Sequence, residues 1–135
     1  MKVLIDTNVI LDVLCAREPF LEDSKKVWKY CEVKIIDGYI SALSIPNIVY
    51  ILRKELTPDT TQKIIDQLLL IFNVVDLKSI DIKKACEMKI NDYEDALQIA
   101  NAERIHADFI ITRNIRDFIN SDVPAIKPTE LLERI

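Results

Sequence analysis

The chain is expected to fold as an α/β sandwich, a doubly wound parallel sheet covered by helices on both faces. Three observations predict this. Short apolar runs without polar alternation recur along the sequence, as strands buried on both faces require. Stretches with apolar residues at a 3.6 period separate them, so most strands are joined by helical chain that can make a right-handed crossover. The 135 residues are 50% hydrophobic, which suits one ordinary domain, spanning 1–135, whose core needs no metal or disulfide staple.

The elements follow in order. Met1 to Ile5 is an apolar run that ends in Asp6-Thr7-Asn8, a strand feeding a helix with Thr7 as its N-cap. Val9, Ile10, Val13 and Leu14 repeat at helical spacing, and a second amphipathic helix follows Pro19 with Leu21, Val27, Trp28 and Cys31 facing inward. Val33 to Ser41 holds β-favouring residues around Asp37-Gly38, giving one irregular strand or two short ones. Ala42 to Glu55 reads as a helix, with Pro46 tolerated in its first turn, and Thr57-Pro58-Asp59 restarts a helix through Phe72. Asn73 to Leu77 is a third strand, Ser79 to Lys89 a helix, and a further helix runs from Asn91 or Asp92 to Ile105, opened by acids that suit its positive end. Asp108 to Thr112 is a fourth strand and Ala125 to Lys127 a last short one, after which Pro128-Thr129-Glu130 starts a terminal helix.

Composition removes several function classes. With one glycine, Gly38, neither G-x-G-x-x-G nor a Walker loop can be written, so Rossmann dehydrogenases and P-loop ATPases are excluded. The 18 basic against 22 acidic residues give a net charge of −4, and any polyanion must be held locally rather than by a general basic coat. Cys15, Cys31 and Cys86 are widely spaced, without C-x-x-C, and are read as buried reduced thiols; His106 is alone and reads as a surface residue. No apolar run approaches the length needed to cross a bilayer and no secretory leader precedes the first one, so a cytoplasmic protein without membrane partners is expected.

In open α/β sheets functional groups gather beyond the carboxyl ends of the strands. Asp6 follows the first strand, Asn114 and Asp117 follow the fourth, and Asp92 and Asp95 share a face in the first turn of the helix entering it. If the first and fourth strands are neighbours, these acids converge at one end of the sheet, where they repel one another unless protons or cations intervene. Oxygen-only ligands suit Mg²⁺ or Mn²⁺, ions that serve phosphodiester hydrolysis. Taken singly, each acid is more simply a helix cap or a partner of the helix dipole.

The combination is more specific than its parts. Val3-Leu4-Ile5-Asp6-Thr7-Asn8-Val9-Ile10-Leu11-Asp12, then Asp92-Tyr93-Glu94-Asp95-Ala96-Leu97-Gln98-Ile99-Ala100, then Ile110-Ile111-Thr112-Arg113-Asn114-Ile115-Arg116-Asp117-Phe118, resemble in that order the motifs of the PIN domain family over nearly the whole chain. These are metal-dependent ribonucleases that include toxins of type II toxin-antitoxin modules. The resemblance implies a three-layer α/β/α sandwich with a central parallel five-stranded sheet, an acidic pocket for Mg²⁺ or Mn²⁺, and RNA hydrolysed by a metal-activated water. It also implies an antitoxin partner and a homodimer. Residue by residue, Asp6 matches the family's first acid, Asp95 its third and Asp92 an additional acid of one group; Thr112, Asn114 and Asp117 match the last motif. Many members have Asp where Asn114 stands, which leaves the last metal-site residue open between Asn114 and Asp117.

The larger departure is Asn47, which occupies the place of the usual second acid, a Glu. An amide can orient water but carries no charge, and Glu55 cannot substitute, since eight helical residues displace it by roughly 12 Å. The expected function is therefore a divalent-metal-dependent endoribonuclease with Asp6, Asp95, Asp92 and Asp117 at the metal and Asn47, Thr112 and Asn114 as polar surroundings. The alternative is a PIN-like module that binds RNA or protein with little or no cleavage. For phosphate contacts the first choices are Arg113 and Arg116, beside the last acids, followed by Arg17 at the end of the first helix. Trp28, Tyr30, Tyr39, Tyr50 and Tyr93 are too scattered to suggest a base-stacking platform, and packing is their expected role.

Overall fold

The structure, a computed structural model, describes residues 1–90 and 92–135. The elements are β1 (Lys2–Ile5), α1 (Thr7–Leu14), α2 (Leu21–Glu32), β2 (Asp37–Ser41), α3 (Ser44–Leu52), α4 (Pro58–Ile71) and β3 (Asn73–Val75). They continue with α5 (Ser79–Met88), α6 (Tyr93–Arg104), β4 (Phe109–Ile111), a short 3-10 helix (Ile115–Phe118), β5 (Ala125–Ile126) and α7 (Pro128–Leu132). The expected helix start at Asn91 falls outside the described residues; at Asp92 the chain is extended, and its side chain caps α6 by accepting from the Glu94 and Asp95 amides at 2.9 and 3.2 Å.

All five strands are parallel, in the order β3-β2-β1-β4-β5. The chain builds outward from β1 to β2 and β3, then returns across the sheet to place β4 on the other side of β1, with Ile5 paired to Ile111. The connections out of β1 and β4 thus leave in opposite directions and open a crevice between their carboxyl ends. Burial on both faces follows the strand period: Val3 and Ile5 join the larger core with α1 to α4 and α7, whereas Leu4 packs with Ile99, Ile110 and Phe118 on the opposite side.

Several boundaries differ from the sequence pattern, each for a long-range reason. Asp6, not Thr7, is the residue at the head of α1, because its amide donates to the Ile111 carbonyl at 2.9 Å and so belongs to the sheet. Thr7 Oγ1 instead shares a 2.6 Å hydrogen bond with Ser44 Oγ. The helix expected from Ala42 begins at Ser44, since the Ala42 amide is still bonded to the Val75 carbonyl at 2.8 Å. The strand expected from Val33 starts at Asp37, because the Ile35 and Ile36 amides turn back onto the Tyr30 carbonyl at the end of α2. The third strand stops at Val75, and the Asp76 carbonyl beyond it accepts from Arg104.

Of the three thiols, only Cys31 is buried, and burial pushes its pKa up to about 12; Cys15 and Cys86 are exposed, contrary to the reading of all three as core residues. Gly38 is required where β2 crosses α2: a Cβ there would lie 2.6 Å from Cys31 Sγ and 3.0 Å from Phe72 Cδ1. Trp28 packs edge-on against Phe72 at 5.1 Å between ring centroids, in keeping with a packing role.

Candidate functional site

The crevice between β1 and β4 is a cavity of about 360 Å³ walled by carboxylates. Asp6 enters from the end of β1, Asp92, Glu94 and Asp95 from the start of α6, and Asp117 from the 3-10 helix after β4. These segments lie up to 111 residues apart in sequence (117 − 6) and meet because β1 and β4 are adjacent.

Asp6 is 4% exposed and held by two side chains. Gln98 Nε2 donates to its Oδ1 at 3.1 Å and Thr112 Oγ1 to its Oδ2 at 2.9 Å. Burial nevertheless raises its pKa above the ordinary carboxylate value, outweighing these two donors. Gln98 sits one turn of α6 after Asp95, lines the same cavity, and its buried Oε1 has no hydrogen-bond partner among the described residues. Thr112 also accepts the Asn114 amide at 3.0 Å, which ties the turn after β4 to Asp6.

Asp95 is pushed up to about 7, first by burial and then by the charges of Asp92, Asp6, Asp117 and Glu94. Glu94 is raised as well, by burial, Asp92 and Asp6, against the opposing hydrogen bond from Asn47. Mutually repelling carboxylates in one cleft, all with oxygen donors, have the chemistry of a site for a hard divalent cation. The partnerless Gln98 Oε1 adds one more oxygen of the same kind. Among the described residues no three acids stand close enough together to share one ion as they are, so the fit is one of donor chemistry and charge rather than of a preformed shell.

The expected site residues divide clearly. Asp6, Asp92, Asp95, Asp117 and Asn47 line the cavity, while Thr112 braces Asp6 from behind. Asn114 heads the 3-10 helix and is not part of the cavity wall, so of the two residues left open in the last motif it is Asp117 that reaches the acids. Arg113 is turned away: its Nε and Nη2 bind the buried Asp12 at 3.0 and 3.3 Å, and its guanidinium stacks 4.1 Å above the Phe20 ring. Arg17 lies 4.0 Å from the same Asp12. Only Arg116 of the expected cations borders the acids, in a second depression shared with Asp92, Asp95 and Asp117.

Glu94 and Gln98 are cavity residues that sequence reasoning missed. Asn47 Nδ2 donates to Glu94 Oε1 at 2.9 Å, so the amide in the place of an acid holds an acid supplied by another helix. The available signal for Glu94 was the conjunction of a neutral Asn47 with an extra carboxylate in Asp92-Tyr93-Glu94-Asp95. At the head of a helix, however, Glu is adequately explained by the dipole, which is why the pattern did not single it out.

Comparison with known proteins agrees with this fold. The fold is shared with FitAcB from Neisseria gonorrhoeae, at a TM-score of 0.72 and 19% identity over 94% of this chain and 98% of that one. VapBC2 from Rickettsia felis, bound to a DNA fragment from its promoter, matches at a TM-score of 0.68 and 16% identity over 94% and 98% of the two chains. VapC20 from Mycobacterium tuberculosis, a toxin that cleaves the sarcin-ricin loop, matches at a TM-score of 0.65 and 12% identity over 80% and 86%. No curated protein matches significantly in sequence. A PIN domain family model matches residues 2–116, a span that takes in β1, β4 and α6 and ends one residue before Asp117, and the chain belongs to the PIN domain family.

Proposed function

We propose that this protein is a divalent-metal-dependent endoribonuclease that hydrolyses RNA phosphodiester bonds, and that it acts as the toxin of a toxin-antitoxin module. The observation that carries the chemistry is the convergence of five carboxylates from three separate segments on one cleft at the β1/β4 crevice. Asp6 and Asp95 would hold Mg²⁺ or Mn²⁺, with Asp117, Asp92 and Glu94 supporting. When bound, such an ion supplies a Lewis acid for the phosphate and lowers the pKa of the attacking water.

The chain's own residues prepare the site for this. Gln98 and Thr112 hold Asp6 in one orientation, one donor to each carboxylate oxygen, so this one carboxylate is fixed at the end of β1. Asn47 does the same for Glu94 and thereby returns to the site the negative charge that position 47 lacks. Replacing Glu94 with Gln is expected to raise the Mn²⁺ concentration for half-maximal cleavage roughly 10- to 100-fold. An unchanged metal titration would mean that Glu94 has no part in holding the ion.

The toxin reading is supported by the company the fold keeps, toxin-antitoxin complexes among them. An antitoxin partner and a homodimer belong to the same reading. A neutral Asn47 also favours a second one, a PIN domain that binds RNA and scarcely cuts it. The two are separated by incubating end-labelled single-stranded RNA with and without Mn²⁺, using purified wild type and Asp6→Asn in parallel. Metal-dependent cutting by wild type, falling on the order of 10³-fold in Asp6→Asn, is the expected result. Equal cutting by both proteins would refute the assignment of the site, and RNA bound but left intact by both would establish the second reading.

A further inference from the structure

The acids do not sit at the bottom of one pocket. Asp92, Asp95 and Asp117 form a wall shared by two adjoining depressions, the first of about 360 Å³ toward α3 and the second of about 290 Å³ toward the end of α5. The far walls of the two differ in chemistry. On the first stands Tyr50, 65% exposed although it is a large aromatic side chain, with Lys54 Nζ 5.0 Å from its ring centroid. On the second stand Lys89 and Arg116, neither of which enters an ion pair among the described residues.

A net-acidic protein with a carboxylate-lined centre repels a polyanion unless cations flank that centre. Here they do, on both sides, while Arg113 and Arg17 are held on Asp12. Exposing most of a tyrosine ring at the mouth of a polar cleft has no packing return, whereas an aromatic face beside a lysine matches a stacked base followed by its phosphate. A base can stack on such a ring only when it is not paired in a helix.

We infer that the two depressions form a continuous track for single-stranded RNA: Tyr50 stacks a base and Lys54 takes a phosphate on one side of the acids, and Lys89 with Arg116 holds the backbone on the other. The assignment rests on the nuclease reading above, and binding tests it separately from cleavage. Fluorescence anisotropy of a short labelled single-stranded RNA, with Mn²⁺ present, is followed on the Asp6→Asn background over roughly 50 to 200 mM salt, and gels verify that the RNA stays intact. Adding Lys89→Ala and Arg116→Ala together is expected to weaken binding and flatten the plot of log affinity against log salt by about 1.4, two phosphates at about 0.7 each. Tyr50→Ala is expected to weaken binding about tenfold and leave that slope unchanged.

Lys25→Ala with Lys26→Ala, on α2 and outside both depressions, serves as the control and should alter neither quantity. Circular dichroism establishes that each variant is folded. An unchanged slope without Lys89 and Arg116, or unchanged affinity without Tyr50, overturns the track even if wild type cleaves RNA. Failure of the Asp6→Asn protein to bind single-stranded RNA also overturns it. The predicted pattern of binding together with no cleavage by wild type would keep the track and discard the nuclease.

Discussion

Asp95→Asn is expected to lower metal-dependent RNA cleavage on the order of 10³-fold while making the metal-free protein more stable at pH 8. The two effects have one cause. Burial and the charges of Asp92, Asp6, Asp117 and Glu94 raise the Asp95 carboxyl from its ordinary 3.8 to about 7 in the folded protein. Between those values the folded chain keeps a proton that the unfolded chain has released, so stability falls as pH rises through that window. Above it the folded protein carries the full cost of ionising Asp95. Asparagine keeps the shape and removes the charge. With the solvent-exposed side of the cleft screening the repulsion, the gain is about 1 kcal/mol, or roughly 3–5 °C in Tm for a chain of this size.

Three comparisons check the argument by thermal melting. At pH 8 without metal the variant should melt above wild type; the difference should shrink as pH falls through the window, to roughly a third near pH 5, and vanish only below the ordinary value of 3.8, where both folded and unfolded Asp95 are protonated. Adding Mn²⁺ should raise the Tm of wild type and have much less effect on the variant. Equal melting temperatures at both pH values would show that Asp95 is not under the repulsion described. A stability cost carried by the site's own acids is the usual mark of function, because packing alone would have favoured a neutral residue.

Asp81→Ala is the second large effect, and it acts on stability, at about 3–5 kcal/mol. Asp81 is 2% exposed and serves donors from three directions: the Lys78 amide at 2.9 Å, Asn101 Nδ2 at 3.0 Å and Arg104 Nε at 3.0 Å. Asn101 in turn accepts from Ser41 Oγ at 2.6 Å, and Arg104 also reaches the Asp76 carboxylate at 3.1 Å. One buried carboxylate therefore joins the head of α5, the last turn of α6 and the end of β2. Removing it strands the Arg104 charge and the Asn101 amide with reduced partnership. Urea denaturation measures the loss, which is a large share of the stability of an ordinary domain. A cost under about 1 kcal/mol would show that the network carries no weight. Because α6 also presents Asp92, Asp95 and Gln98 to the cleft, the same network holds the acids in place from behind.

Much of the molecule was legible in its sequence where the determinant is local. The first strand, the capped helix after Thr57 and the strand before Thr112 follow from apolar runs, Pro placement and turn residues within a few positions. The Asp6, Asp92, Asp95 and Asp117 candidates were legible because acids beyond strand ends and in first helical turns are visible in one dimension. The pairing of Asn47 with Glu94 was not, nor the capture of Arg113 by Asp12 across 101 positions, since each depends on two elements meeting in space.

The sequence by itself determined the alternation of elements, the parallel class and a short list of acids, because hydrophobic period and backbone propensity act between chain neighbours. Only the tertiary structure decided which of those acids face one another, which arginine remains beside them, and that an acid at position 94 stands with the amide at position 47. The physical reason is that burial, charge repulsion and hydrogen bonding between distant segments exist only once β4 has docked beside β1 and brought α6 over the crevice.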